Sequence, residues 1–295
     1  MQAERFSRTA EFMALFRALE SARPANQRLF HDPFAATFVS APLRRAVRWS
    51  AAPIAGAFLR HVIDLFWPGA RSSGVARTRL IDDWIEASIR SGSQQLIVLG
   101  AGFDSRAWRM PVLAGIPIFE VDHAATAAEK RRRAPTGTGE RSDVVSVVLD
   151  FDRDRLPNAL AAAGFDPGRR TVVVWEGVTN YLTAAAVDSV LAWVGSLAAG
   201  SKLIFTYIHR RVLDDPTSFE DAQKILLTVA RAGEPWTFGF LPEALPQCLR
   251  SHGLLMDQDF GADDYRAQYF GPEARKMRGY AFYRAALATV VGRHA

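Results

Sequence analysis

The sequence predicts an α/β protein built on a doubly wound, mostly parallel sheet. Three observations carry that prediction. Five short apolar runs follow one another between residues 95 and 207, with helical segments between most of them. Each of the first four stops at a glycine or an acid. Nothing before residue 90 has the pattern of a strand. Continuous apolar strands that alternate with helices belong in a sheet covered on both faces, and right-handed crossovers wind such strands into layers.

The first ninety residues read as a helical annex. From Ser7 to Leu19, Phe12, Leu15, Phe16 and Leu19 share one face at helical spacing. Ser21–Pro24 and His31-Asp32-Pro33 break the chain. Ala51 to Trp67 is the most apolar early stretch, but Pro53, Arg60 and Asp64 interrupt it, and it falls short of the roughly 20 residues that a membrane span needs. Arg77 to Ile89 is amphipathic, with Leu80, Ile81, Trp84, Ile85 and Ile89 as its stripe. The strands follow: Gln95–Leu99, Ile116–Val121, Val144–Leu149, Thr171–Trp175 and Ser201–Tyr207, with helices at Ala124–Arg133, Leu156–Ala163 and Ala184–Ala199. Residues 209–241 are too many for a simple connection and read as a partly helical lid insertion. Leu254–Asp259 and Tyr280–Leu287 would close the sheet as a hairpin-like pair, the last strand antiparallel. The expected division is one domain over 1–295: cap 1–90, core 91–208, lid 209–241, and a helix with closing strands over 242–295.

Composition narrows the classes. The 295 residues are 49% hydrophobic and 23% charged, which is globular rather than disordered. The net charge of +5 weakly favours anionic partners. The cations are scattered, and the dense run Lys130–Arg133 reads as a solvated helix end, so no nucleic-acid partner is expected. A single cysteine, Cys248, excludes a disulfide framework and a multi-cysteine metal site. With no apolar segment at the N-terminus, the expectation is a cytoplasmic protein with no membrane partner. The six histidines show no HxH or HxxxH spacing, so no metal is expected.

Ligands of open α/β sheets sit beyond the carboxyl ends of the strands. Gly100-Ala-Gly102-Phe-Asp104 lets backbone approach a ligand. Asp122, twenty-two residues after Gly100, can accept two ribose hydroxyls or cap the next helix. Asp150-Phe151 can take an adenine, and Glu176-Gly177 ends the fourth strand. The dinucleotide fingerprint GxGxxG has Ser105 at its third glycine, which weakens a nicotinamide reading without removing it, and the P-loop pattern is absent. Acids at three strand ends would repel a pyrophosphate but tolerate a sulfonium and an ammonium. S-adenosyl-L-methionine is a ligand of that kind.

These residues sit in longer matching blocks: Arg77-Thr-Arg-Leu-Ile-Asp-Asp83, Leu99–Arg109, Phe119–Asp122 with Lys130, and Trp175–Leu182. Ser7–Ala10, His31–Phe34, Pro235–Gly239 and Pro242-Glu243 fit too. Together they resemble the leucine carboxyl methyltransferase family, especially its bacterial small-molecule branch with O-methyltransferases of polyketide pathways. The resemblance implies a class I methyltransferase, Rossmann-like sheet and S-adenosyl-L-methionine as cofactor. It implies that Arg77 pairs with the methionine carboxylate, Gly100 and Gly102 lie against the cofactor with Asp104 beside them, and Asp122 holds the ribose. Asp150 and Phe151 would receive the adenine, and Glu176 would face the ammonium. Asp152 stands where the family often has arginine. Arg8 is a candidate for a further basic residue on the carboxylate.

The expected reaction is direct methyl transfer, without metal or covalent intermediate, to an anionic, aromatic small molecule of the polyketide-like secondary metabolites. A carboxyl acceptor, ionised at neutral pH, needs no base and ranks above a hydroxyl acceptor, for which His209 and Tyr207 are the candidate bases. Tyr181, Trp236, Phe238 and Phe240 are candidates to line an aromatic substrate pocket, with core packing as the alternative. A silent cofactor-binding protein and a protein carboxyl methyltransferase remain open alternatives.

Overall fold

The computed structural model describes residues 8–134, 141–150 and 155–292. Four helices come first: α1 (Arg8–Ser21), α2 (Ala41–Trp49), α3 (Pro53–Phe66) and α4 (Ala70–Arg90). The core then runs β1 (Gln95–Leu99), α5 (Arg106–Arg109), β2 (Ile118–Asp122), α6 (Ala124–Arg133), β3 (Val144–Val148), α7 (Leu156–Ala162), β4 (Thr171–Trp175), α8 (Ala184–Val194) and β5 (Lys202–Ile208). The lid holds α9 (Arg211–Asp214) and α10 (Ala222–Arg231). The chain closes with α11 (Leu245–Ser251), β6 (Leu254–Gly261), α12 (Ala262–Phe270) and β7 (Tyr283–Val290).

The seven strands are ordered β3-β2-β1-β4-β5-β7-β6, and β7 alone runs against its neighbours. The chain winds outward from β1 through β2 to β3, then returns to the far side of β1 with β4. Leu96 therefore faces Ile118 on one side and Val172 on the other. This reversal opens a crevice at the carboxyl ends of β1 and β4. The last two strands pair antiparallel as expected, but their connection is no tight hairpin: α12 and a 3-10 turn lie between them.

Strand alternation separates two cores. Ile97, Leu99, Phe119, Val121, Val173 and Trp175 pack on the face covered by α7, α8 and α11. Leu96, Val98, Ile118, Val172, Val174 and Ile204 pack on the face covered by α4 and α12. Each such side chain contributes roughly 1.5–3 kcal/mol by leaving water.

Helix α4 starts seven residues before the expected Arg77. Its first turns, Ala70 to Ala76, are small or polar yet buried, because α1 lies against them and Ser73 Oγ meets Tyr265 Oη at 2.7 Å. No apolar stripe marks a helix that is enclosed on every side.

Candidate active site

The strand ends, the cap and the lid together enclose a cleft of about 970 Å³. Its floor is the loop after β1. Gly100 and Gly102 both have positive φ, 66° and 47°, and a Cβ on Gly100 would run into Val178. Only glycine holds that backbone without strain. The Gly102 amide donates to Asp122 Oδ2, and the His123 amide donates to Asp122 Oδ1 at 2.7 Å. Asp122 is thus fastened between the glycine loop and α6; it lines the cleft, and each carboxylate oxygen has capacity for a second donor. Burial pushes its carboxyl above the usual aspartate range, against the two amide donors. It does not cap α6; His123 does, its Nδ1 accepting from Ala125 at 3.4 Å.

The next wall is a charged cluster. Arg77, buried on α4, donates from Nε to Glu176 Oε1 at 3.0 Å, and its guanidinium lies 4.6 Å from the Tyr283 ring centre. Arg106 donates to Glu176 Oε2 at 3.0 Å, to Asp104 Oδ2 at 2.5 Å and to Asp82 Oδ1 at 2.8 Å. Arg109 makes a forked pair with Asp82 at 2.6 and 2.8 Å. Arg17 joins Asp32 at 2.9 Å and donates to the Phe103 carbonyl at 2.6 Å. Burial alone would raise the Asp104 and Glu176 carboxyls, but Arg106 beside Asp104, and Arg106 with Arg77 beside Glu176, hold both below their ordinary values. Glu176 and Arg77 present an anion and a cation side by side, which suits the ammonium and carboxylate of an amino acid.

Asp150 also lines the cleft, beside Leu149. Phe151 and Asp152 lie outside the described residues, as does the side chain of Arg8.

The outer half of the cleft is aromatic and apolar. Phe12, Met13 and Phe16 of α1, Phe66 and Trp67 at the end of α3, and Tyr181, Trp236, Tyr280 and Tyr283 line it. Glu234 is a buried carboxylate here; its Oε2 accepts from Thr9 Oγ1 at 2.6 Å, and Tyr181 Oη donates to the same Thr9 oxygen at 3.5 Å. Burial pushes the Tyr181 phenol up to about 12. Lys224 and Arg231 of α10 also line the cleft, Lys224 Nζ donating to the Phe66 carbonyl at 2.6 Å.

Four sequence expectations are corrected. Tyr207 is fully buried and outside the cleft; it donates to Asp259 Oδ2 at 2.8 Å and accepts from Arg284 Nε at 3.0 Å. Burial and Asp259 raise its phenol far above the usual range, which keeps it protonated as a donor to Asp259. His209 also lies outside the cleft, accepting from the Arg211 amide at 3.2 Å and packing 5.3 Å from the Phe219 ring. Phe238 and Phe240 pack into the core, their rings 4.8 Å apart, with Phe240 5.6 Å from Tyr207. The cause is common to all four: the base of the lid folds back beside β5, where the Phe240 amide donates to the Ile208 carbonyl and the Arg210 amide to the Phe240 carbonyl.

Sequence reading missed Arg17, Asp32, Asp82 and Arg106, although the last three lie in motifs that were in view. Asp32 comes from His31–Phe34, Asp82 from Arg77–Asp83, and Arg106 from Leu99–Arg109. Thr9 and Glu234 lie in such blocks or beside one, 225 residues apart.

Known proteins resemble this chain in sequence and in fold. The family described as leucine carboxyl methyltransferase matches residues 10–195. A protein of Frankia alni is 39% identical over 211 residues, which is 70% of each chain. One of Mycobacterium marinum is 32% identical over 270 residues, covering 88% of this chain and 78% of its own. Both are provisionally named S-adenosyl-L-methionine-dependent methyltransferases. Among solved structures, a Thermobifida fusca protein superposes with a TM-score of 0.58 at 16% identity, over 97% of this chain and 98% of its own. A DUF574-family protein of Streptomyces avermitilis gives 0.53 at 13% identity, over 93% and 96%. At such identities these two speak for the fold, and the strand order with its reversed β7 is that of the class I methyltransferases. Sequence match and sheet topology converge: the chain belongs to the leucine carboxyl methyltransferase family.

Proposed function

We propose that this chain is an S-adenosyl-L-methionine-dependent methyltransferase acting on the carboxyl group of a small, largely apolar molecule of secondary metabolism. One observation carries the reading: a single cleft joins a polar half at the strand ends to an aromatic half beneath the cap and lid. The residues of the polar half fit the cofactor. Asp122 has acceptor directions for ribose hydroxyls, Gly100 removes the Cβ that would crowd the floor, and Arg77 with Glu176 matches an amino-acid head group. When bound, the cofactor supplies a methyl group activated by its sulfonium. The chain's own part is to bind, align and exclude water, and alignment of two reactants is worth roughly 7–11 kcal/mol.

A carboxylate acceptor is supported by the lid cations Lys224 and Arg231 and by the absence of His209 and Tyr207 from the cleft. A second reading, transfer to a hydroxyl, is favoured by Glu234, a buried carboxylate placed to accept a proton from an acceptor rather than to face another carboxylate. Incubating the full chain with methyl-labelled cofactor and a small-molecule extract separates them. Label in a base-labile ester, with Glu234→Gln as fast as the parent or faster, is the expected result. Label in an ether, with a loss of 10²-fold or more in Glu234→Gln, assigns the hydroxyl reading; label only in protein contradicts both.

A further inference from the structure

We propose that the cap docks on an anionic lipid bilayer through α2 and α3, with the mouth of the cleft at the membrane surface. Helix α3 is inverted, with mostly small residues inside and large apolar ones outside. Helix α3 turns Ala55, Gly56 and Ile63 inward, where a Cβ on Gly56 would run into the Ser50 carbonyl. It leaves Ile54 at 87%, Phe58 at 60% and Leu65 at 66% exposure on the outside. Trp49 precedes this face and Phe66 and Trp67 complete it, all exposed. Seven of the eleven large apolar side chains that are exposed among the described residues lie in this one part of the chain, from Phe12 to Trp67. A concentration of that kind marks a surface that is covered in use.

The charges beside it name the occupant. Helix α2 carries Arg44, Arg45 and Arg48, all exposed, and Arg45 and Arg48 make no ion pair among the described residues. The one acid in residues 41–67 is Asp64, held by Arg71 at 2.5 Å. Unpaired arginines flanking an exposed apolar face with tryptophans at its ends fit an element lying in the headgroup region of an anionic membrane. A second copy fits less well, since a two-fold contact would bring the same cations together. No described helix is long and apolar enough to cross a membrane, and a surface contact requires no crossing. Phe66 and Trp67 belong both to this face and to the lining of the cleft. An apolar acceptor could therefore pass from bilayer to cleft without entering water. The docking itself does not depend on the acceptor proposed above.

The test is co-sedimentation of the full chain with phosphatidylcholine vesicles, with and without phosphatidylglycerol, at low and high salt. Binding is expected only to the anionic vesicles and should weaken with salt. It should fall about tenfold or more in Phe58→Asp and in the double variant Arg45→Glu/Arg48→Glu. Unchanged calorimetric affinity of these variants for S-adenosyl-L-methionine would show that they fold, and keeps this proposal separate from the cofactor assignment. A chain that stays in the supernatant with both vesicle types overturns the proposal. So does anionic-vesicle binding that neither variant weakens. A dimer by light scattering that Phe58→Asp dissociates, without vesicle binding, assigns the face to a second copy instead.

Discussion

Asp122 shows how much one side chain is asked to do. It pins the glycine loop through the Gly102 amide, ties in α6 through the His123 amide, and still offers acceptor directions to a ribose. Asp122→Ala should weaken S-adenosyl-L-methionine binding by about 1.5–3 kcal/mol, ten- to a hundredfold in Kd by calorimetry, since hydrogen bonds to a charged acceptor are lost. Its carboxyl titrates above the ordinary value of about 3.9, so affinity should decline in mild acid, before ordinary aspartates protonate. Asp122→Asn should bind weakly and flatten that decline. The acids and glycines at the strand ends were legible in the sequence because their chemistry is local: a run of apolar residues stops, and the next residue must turn or bind. The Thr9–Glu234 pair was not legible, because nothing near either residue announces a partner 225 positions away.

At the scale of elements, the sheet was legible and the return of the lid onto β5 was not. Strand β5 was placed to within a residue, but its last residues were read as facing a ligand, whereas the returning lid covers them with Phe240. Tyr207→Phe should leave the methyl-transfer rate within about twofold and cost about 1–3 kcal/mol of stability by denaturant unfolding, because Asp259 and Arg284 lose a buried partner. A large rate loss with unchanged stability would return Tyr207 to the catalytic list. Helix α4 is tied to α5 through Asp82, which holds both Arg106 and Arg109. Asp82→Ala leaves two buried guanidinium groups short of a counter-charge and should cost about 3–5 kcal/mol, read as a lowered Tm. No single motif predicts this network, since its carboxylates and arginines come from segments that only the fold brings together.

For the whole molecule, one topological fact organises the rest. The reversal between β1 and β4 sets the glycine loop beside Glu176, α4 brings Arg77 to the same point, and the cap and lid roof the space above. The central claim is that this junction holds S-adenosyl-L-methionine, and calorimetric titration of the full chain with that cofactor, beside a matched titration with NADPH, tests it most directly. One saturable site for S-adenosyl-L-methionine, lost or strongly weakened in Asp122→Ala, is expected, with no heat from NADPH; saturable NADPH binding with no response to S-adenosyl-L-methionine would contradict that claim.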